Sequence, residues 1–208
     1  MRRKDERNLR VLISHAIYLP DFAGGGETIV HEMAKGLAAR GASVRVITAG
    51  DPKQTEIDGI PVRRLPISKY QFNFAARAIA QEARDADIIQ TFNYHACLPS
   101  WVAGKISKRP VVCGMLGLFG PQWRMMRGPV GGRLWQTWER VLLRVPYDAV
   151  CFLSEFSRRD PAAAGVRDDR AVVCPPGIAI DDFYVGDKQD EVLFVGKLEY
   201  RKGIDIVL

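Results

Sequence analysis

Residues 10–48 read RVLISHAIYLPDFAGGGETIVHEMAKGLAARGASVRVIT, and this stretch decides the fold. It begins with a largely apolar run, Arg10–Ser14, that is typical of a buried strand, and it ends with a second such run at residues 44–48. Between the two runs, the apolar residues of segment 28–40 recur every three or four positions, which predicts a helix, and Gly41 follows as glycine often does at a helix end. A strand, a helix and a strand in this order predict a parallel βαβ unit.

The same alternation continues along the chain. Further strands are predicted at residues 60–65, 87–91, 110–115, 149–153 and 171–174, the first of them after a turn at 58–59. Further helices are predicted at residues 74–83, 96–107 and 134–145, and Ser154 is predicted to cap a short helix. Apolar strands that alternate with helices indicate a parallel sheet covered on both faces. The predicted fold class is therefore α/β with a doubly wound, Rossmann-like sheet.

Residues 116–132 are rich in glycine and proline and predict a long loop. The helix that follows is predicted to have one apolar face, formed by Leu134, Trp135, Trp138, Val141, Leu142 and Val145. Arginines accompany these large apolar residues, a combination that suits an anionic membrane surface. For the helix we favour the alternative that its tryptophan face packs on the sheet. The preceding loop is left as a candidate membrane or acceptor contact.

The composition, 47% apolar and 26% charged over 208 residues, is that of a soluble globular protein, and no segment is apolar enough to span a bilayer. A net charge of +6 favours acidic partners such as nucleotides and phosphates. Four cysteines are widely spaced, without any CxxC or Cys/His cluster: Cys97, Cys113, Cys151 and Cys174. This pattern predicts buried reduced thiols, a cytosolic protein and no metal site.

Ligands of a doubly wound sheet bind at the carboxyl ends of its strands, so the loops at those ends are the candidate site. Gly24, Gly25 and Gly26 directly precede the first predicted helix, where free N–H groups and the helix dipole favour a phosphate. Their spacing is not GxGxxG, which gives no support to a dinucleotide site. A flexible loop is the alternative interpretation.

Five polar or aromatic residues stand close to the same strand ends. His15 ends the first strand, Glu27 begins the first helix, and Asn93, Tyr94 and His95 follow the strand at 87–91. His95 is the candidate catalytic residue, with helix capping or packing as the alternative. No carboxylate pair and no Ser/His/Asp set emerges from the spacing, so the catalytic residues are otherwise unknown.

The final segment, EVLFVGKLEYRKGIDIVL, predicts a strand at 192–195, a glycine turn, a basic loop and the start of a helix at Gly203. Such a turn is typical of an anion site, and its two lysines, Lys197 and Lys202, are the candidate ligands. A solvated turn is the alternative. Polar residues 181–190 predict a linker before this segment.

Four segments, at residues 20–48, 148–166, 172–183 and 193–208, resemble in order the motifs of glycosyltransferase family 4, the retaining nucleotide-sugar enzymes of the GT-B fold. The resemblance implies an N-terminal domain that binds the acceptor and a C-terminal domain that binds the donor. It assigns the donor diphosphate to Lys197 and Lys202, with Gly24–Gly26 nearby, and it places Ser154 on the acceptor side of the cleft. Lys197 stands where arginine is commoner, and Phe92 stands where relatives often carry a histidine.

This resemblance implies a chain with a frayed leader at residues 1–9, an acceptor-side domain at 10–184, and a linker with the incomplete start of a donor domain at 185–208. The expected reaction transfers a hexose from a nucleotide sugar to a glycan or lipid-linked acceptor with retention of configuration, without cofactor, metal or nucleic acid. The enzyme would be cytoplasmic, on the cytosolic face of a membrane, and residues 1–208 would be inactive alone. The alternatives are a non-catalytic acceptor-binding module, one half of a split enzyme, and an unrelated flavodoxin-like nucleotide binder.

Overall fold

The computed structural model describes residues 9–21, 24–160, 163, 165–178, 180, 184, 186, 190–196 and 203. The chain divides into two units, residues 1–176 and residues 177–208. The helices and strands described below belong to the first unit. The domain bounds expected from the sequence stay a prediction.

The first unit is built on a sheet whose strands, among the described residues, are β1 Arg10–Ser14, β2 Ser43–Ala49, β3 Glu56–Ile57, β4 Ile60–Leu65, β5 Ile88–Phe92, β6 Val111–Met115, β7 Ala149–Phe152 and β8 Ala171–Val173. The helices between them are α1 Gly25–Ala39, α2 Ala76–Glu82, α3 Cys97–Ser107, α4 Trp123–Arg144 and α5 Glu155–Arg159. The sheet order is β3-β4-β2-β1-β5-β6-β7-β8, and only β3 runs antiparallel to its neighbour. The predicted doubly wound α/β fold is therefore confirmed.

The strand order reverses between β1 and β5, because the chain first winds outward to β2 and β4 and then returns to add β5 to β8 on the other side. The loops after β1 and β5 consequently leave the sheet in opposite directions and open a crevice between them. This is the position at which open α/β sheets bind their ligands.

Both faces of the sheet are covered, as the apolar strands require. Successive residues of β1 are buried in different layers: Leu12 belongs to one apolar core, and Ile13 belongs to a second core with Val30 and Ala34 of α1. A strand alternates its side chains between the two faces, so burial of both neighbours means that helices cover both sides. The core thus fixes where β1 ends, and with it the position of the loop that follows.

A tight hairpin joins β3 and β4. Asp58 and Gly59 at its tip have φ values of 48° and 76°, the left-handed conformation that a two-residue hairpin turn needs at both positions. The turn was predicted from the sequence, whereas β3, with two residues, is too short to give a periodic signal.

The predicted loop at residues 116–132 is only partly correct: residues 116–122 connect β6 to α4, but α4 begins at Trp123. Gly128, with a φ of 73°, and Pro129 interrupt this helix, and helical backbone continues on both sides of them. Trp123 is buried and donates its indole N–H to Glu139 at 3.1 Å, which anchors the first turn. Tertiary packing here overrides the local glycine and proline signal.

The predicted apolar face of α4 is also partly wrong. Leu134 is 68% exposed, whereas Gln136 and Glu139 are buried together with Leu142 and Leu143. The buried stripe is rotated because the Glu139 carboxylate accepts hydrogen bonds from the loop after β6, an interaction that hydrophobic periodicity does not register.

All four cysteines are free thiols. Cys97 and Cys113 are buried as predicted, but Cys174 is exposed, since it lies just beyond the edge strand β8. Among the described residues no helix offers an apolar stretch long enough to cross a membrane.

In the second unit, residues 191–195 carry no strand, so the strand expected at 192–195 is not present. A strand requires a pairing partner, and none of the described residues of 177–208 pairs with this segment. Lys197 and Lys202, the predicted diphosphate ligands, lie outside the described residues.

Candidate functional site

His15 lies at the carboxyl end of β1, where the strand order reverses. Its backbone N–H donates to the carbonyl of Ile47 at 3.2 Å, so the sheet ladder holds the residue in place. Its ring packs edge-on against Phe92 of β5, with centroids 5.5 Å apart, and is buried. The structure thus places His15 at the crevice between β1 and β5, as the sequence predicted.

Glu27 faces His15 from the first turn of α1. The distance from His15 Nε2 to Glu27 Oε1 is 3.9 Å, and both side chains are buried. At this distance the contact is electrostatic rather than a hydrogen bond. The other carboxylate oxygen accepts the N–H of Gly24 at 2.7 Å, which caps the helix.

The balance of these interactions keeps Glu27 ionised. Burial alone would raise the pKa of this carboxyl, but His15 and the backbone N–H groups of Glu27 and Gly24 outweigh burial and bring the pKa below its usual value. A buried carboxylate beside an imidazole orients that imidazole and favours a proton on the nitrogen that faces it.

The second nitrogen of His15 has no partner. His15 Nδ1 is buried and, within the described part of the chain, forms no hydrogen bond. A buried ring nitrogen that is left unpaired costs free energy, which a ligand hydroxyl would recover. With Nε2 directed at Glu27, Nδ1 is the nitrogen of this ring that has no hydrogen-bond partner among the described residues.

The three glycines before α1 leave their backbone open. A Cβ atom on Gly24 or Gly25 would meet nothing within 4 Å, and one on Gly26 would lie 3.1 Å from Leu116 Cδ1. A ligand can therefore approach the backbone here. The Glu27 carboxylate, however, already accepts one of the N–H groups and adds negative charge, so the donor-phosphate role of the glycines stays a prediction.

Asn93 and Tyr94 are joined by a cis peptide bond, and their side chains hold the loop that follows β6. Asn93 donates to the carbonyl of Gly117 at 2.7 Å and accepts the N–H of Leu116 at 2.9 Å. The Tyr94 hydroxyl lies 2.8 Å from the same carbonyl and 2.7 Å from Glu139 Oε2. Burial, followed by the charge of Glu139, raises the pKa of Tyr94, which therefore stays protonated. Both side chains shape the crevice, and their polar groups are already engaged in hydrogen bonds within the protein.

Glu139 is a residue that the sequence analysis missed. Its buried carboxylate accepts the N–H groups of Phe119 at 3.0 Å and Gly120 at 2.7 Å, besides its contacts with Tyr94 and Trp123. Four donors satisfy this charge and tie the loops after β5 and β6 to α4. The sequence gives no sign that Glu139 is buried, because a glutamate in an arginine-rich helix is expected to lie in solvent.

Arg64 was missed as well. Its side chain is fully buried at the end of β4, bonds Asp21 at 3.0 Å and donates to the carbonyls of Tyr18, Leu19 and Ala49. These contacts fix the loop that runs from His15 towards the glycines. One signal for this burial was present in the sequence. In β4, inward-facing and outward-facing residues alternate, and Arg64 stands at an inward-facing position, where an apolar residue is expected.

His95 begins a separate cluster towards α4. Asn73 donates to the Tyr70 carbonyl at 2.8 Å and to His95 Nδ1 at 3.0 Å, so Nδ1 is the acceptor and Nε2 carries the proton. Burial, reinforced by the positive charges of Lys69 and Arg127, lowers the pKa of His95. The ring is thus neutral near pH 7, with one N–H to offer to a ligand.

Ser154 caps α5 as predicted, accepting the N–H of Ser157 at 3.1 Å. It follows β7, which is separated from β1 by β5 and β6, so the sheet order does not place it beside His15. In the described part of the chain, no three metal-ligating side chains lie together.

Comparison with known proteins identifies the family. A family model described as a glycosyl transferase 4-like domain matches residues 24–177. The chain belongs to this family. The match covers α1, the loop after β5 and strands β2 to β8, whereas β1 and His15 precede it.

Individual relatives agree with this assignment. O-antigen chain mannosyltransferase C of Escherichia coli is 27% identical, over 96% of this chain and 57% of its own. HepE of Anabaena, in a complex with UDP and glucose, has a TM-score of 0.64 at 22% identity, covering 83% of this chain and 46% of HepE. Sucrose-phosphate synthase of Thermosynechococcus elongatus has a TM-score of 0.58 at 16% identity, covering 85% of this chain and 50% of the synthase.

These structural matches show the fold, that of one half of the GT-B architecture. This glycosyl transferase 4-like chain spans about half the length of the relatives that it matches. Within it, the geometry brings His15, Glu27 and Gly24–Gly26 together at the crevice, while Asn93 and Tyr94 support that crevice and His95 faces a neighbouring pocket.

Proposed function

We propose that this chain forms the acceptor side of a glycosyltransferase that moves a hexose from a nucleotide sugar to a glycan or lipid-linked acceptor, with retention of configuration. The observation that carries the proposal is the buried His15–Glu27 pair with an unpaired Nδ1, at the reversal point of the sheet. The family membership supports the reaction class. The E. coli relative is named a mannosyltransferase, and HepE is titled as a complex with UDP-glucose, which supports a hexose and a nucleotide-sugar donor.

The geometry suits recognition of a sugar hydroxyl. Glu27 holds the proton of His15 on Nε2, so the Nδ1 lone pair accepts a hydrogen bond from a hydroxyl that enters the crevice. The backbone at Gly24 and Gly25 is open, so a ligand can approach the start of α1. Positioning of the acceptor against the donor then supplies the catalytic effect, without a protein nucleophile.

The donor side of the proposal rests on the sequence motif. Lys197 and Lys202 are proposed to neutralise the donor diphosphate, as the family resemblance implies. The relatives are about twice as long as the match, and the donor is proposed to need the additional domain. Residues 1–208 alone are therefore expected to turn over no nucleotide sugar, and hydrolysis or transfer by the purified 208-residue chain would refute this part.

A contact with the cytosolic face of an anionic membrane is part of the proposal. The first half of α4 exposes Met125, Met126 and Val130 beside Arg124 and Arg127, a mixture of apolar and basic groups that suits acidic lipid headgroups. Co-sedimentation with phosphatidylglycerol vesicles tests it. Binding should weaken with salt, and equal binding to neutral phosphatidylcholine vesicles would argue against it.

A donor screen tests the proposed reaction. The product of the whole reading frame that encodes this chain is incubated with UDP- and GDP-hexoses and with glycan acceptors, and the anomeric configuration of the product is read by NMR. Transfer with retention is the expected result. Transfer with inversion would refute the retaining mechanism, whereas acceptor binding without consumption of any donor would favour a non-catalytic binding module.

A further inference from the structure

A second cavity lies beside the crevice, on the other side of His95. Its volume is about 530 Å³, within the range of cavities that hold small organic ligands. Its lining is formed by Tyr70, Asn73, Phe74, His95, Leu98, Leu134, Trp135 and Trp138. We call it the aromatic pocket.

The aromatic pocket is apolar almost throughout. Six of its eight lining side chains are aromatic or aliphatic, and the two others, Asn73 and His95, bond to each other at 3.0 Å. Among the described residues, His95 Nε2–H is the donor of this pair that no hydrogen bond occupies. A saccharide carries a hydroxyl on nearly every carbon, and the lining offers few hydrogen-bond partners for so many hydroxyls.

The walls of the aromatic pocket are held in place before any ligand arrives. Trp135 stacks on Trp123 with centroids 5.0 Å apart, and Trp123 is itself fixed by its bond to Glu139. His95 meets Trp135 edge-on at 5.9 Å. Because these rings are already ordered, an apolar ligand would bind without the entropic cost of arranging them.

Two cations lie over rings that line the pocket. Lys69 Nζ lies 5.2 Å from the ring centre of Tyr70, and Arg127 Cζ lies 5.5 Å from that of Trp135. Within the described residues neither cation forms an ion pair. Both charges also lower the pKa of His95, another lining residue. An apolar cavity with two cations against its lining rings is complementary to an anionic head on an apolar chain.

We propose that the aromatic pocket binds one chain of an anionic amphiphile, with the chain against Phe74, Trp135 and Trp138 and the anionic head between Lys69 and Arg127. His95 Nε2–H donates to the head. This inference rests on the lipid-linked acceptor of the proposed function and deepens it by naming the pocket and the anionic head, and it is tested by binding alone. A single lipid phosphate and the lipids of a bilayer both supply this chemistry, and the experiment separates them.

The probe is decyl phosphate below its micelle concentration, titrated into the purified 208-residue chain by calorimetry, with decanol and inorganic phosphate as the two partial probes. Saturable 1:1 binding of decyl phosphate is expected, with weaker binding of decanol and none of inorganic phosphate. Replacement of both cations, Lys69→Gln with Arg127→Gln, should reduce the affinity for decyl phosphate about fivefold to tenfold and leave that for decanol unchanged.

The chain offers a matched pair of exposed phenylalanines. Phe74, at the pocket, is 87% exposed, and Phe156, on α5, is 83% exposed, so neither Phe74→Ser nor Phe156→Ser removes core packing. Phe74→Ser should weaken decyl phosphate binding about fivefold, and Phe156→Ser should not change it.

The proposal would be overturned if decyl phosphate showed no saturable binding, or if Phe74→Ser and Phe156→Ser changed its affinity equally. It would also be overturned if Phe74→Ser abolished binding to phosphatidylglycerol vesicles while binding of monomeric decyl phosphate stayed intact. The last result would assign the surface to a bilayer. Failure of binding would leave the donor screen, and hence the proposed reaction, unaffected.

Discussion

At the scale of single residues, buried polar groups set the geometry of the crevice. Arg64 fixes the loop after β1, and Glu139 fixes the loops after β5 and β6, each through several hydrogen bonds. A buried charge is costly to leave without its partner, so these residues are sensitive positions. His15 Nδ1 is also buried and, among the described residues, forms no hydrogen bond, and we propose it as the group that meets a ligand.

Removal of the Glu139 carboxylate should be costly. In Glu139→Ala the two loop N–H groups, Tyr94 and Trp123 all lose their acceptor, and we expect the free energy of unfolding to fall by about 3 to 5 kcal/mol. Urea denaturation measures it. The control is Glu32→Ala. Glu32 is an exposed residue of α1 that forms a surface ion pair with Lys35, and its replacement should change the stability by less than about 1 kcal/mol. A similar loss in both variants would contradict the role of Glu139.

The pKa of His95 should respond to Lys69. Burial and neighbouring positive charge both lower this pKa, so removal of one charge in Lys69→Gln should raise it. NMR titration of the ring signals measures the shift. Lys105→Gln removes a comparable lysine, which lies over Trp101 rather than near His95, and should leave the titration unchanged.

The same lowered pKa affects stability. Because the folded state binds the proton on His95 less tightly than the unfolded state does, the free energy of unfolding should fall as the pH drops below the unfolded value of about 6.5. In His95→Gln this part of the acid sensitivity should disappear. Identical pH profiles of the two proteins between pH 7.5 and 5 would show that His95 is not buried in its neutral form.

At the scale of the elements, hydrophobic periodicity predicted the strands and most helices, since these elements bury apolar residues at regular spacing. It failed on α4 for two physical reasons. Gly128 and Pro129 signal a loop locally, whereas the anchoring of Trp123 by Glu139 extends the helix past them. The buried stripe of α4 contains Gln136 and Glu139, which a hydrophobic pattern assigns to solvent.

The break in α4 gives a test with an internal control. Gly128 has a φ of 73°, which an L side chain rarely adopts, so Gly128→Ala should lower the free energy of unfolding by about 1 kcal/mol even though a Cβ atom there meets nothing. Gly131, three residues on, is helical and has room for a Cβ atom at ordinary contact distance. Gly131→Ala should therefore be neutral or stabilise the protein by about 0.5 to 1 kcal/mol. Thermal denaturation of both variants measures the difference, and equal shifts would contradict the strained backbone at Gly128.

At the scale of the whole molecule, the topology assembles the site. The sequence predicted that functional groups gather at the carboxyl ends of the strands, and the order β2-β1-β5 brings His15, Glu27 and the loop at Asn93 to one crevice. The partners that occupy Asn93 and Tyr94 were not predictable, because they lie on the loop after β6 and on α4, 23 or more residues away in the chain. Asn93 and Tyr94 differ from His15 in this respect, because their polar groups are occupied whereas His15 Nδ1 has no hydrogen bond among the described residues.

The central claim, that His15 Nδ1 receives the acceptor in a glycosyltransferase, is tested most directly by kcat/KM for hexose transfer in three forms of the whole gene product: native, His15→Ala and His15→Asn. Alanine removes the nitrogen, whereas asparagine returns a polar atom close to the Nδ1 position. We expect kcat/KM to fall about tenfold to a hundredfold in folded His15→Ala and to recover in part in His15→Asn. Equal kcat/KM values in the native protein and a folded His15→Ala variant would contradict the account.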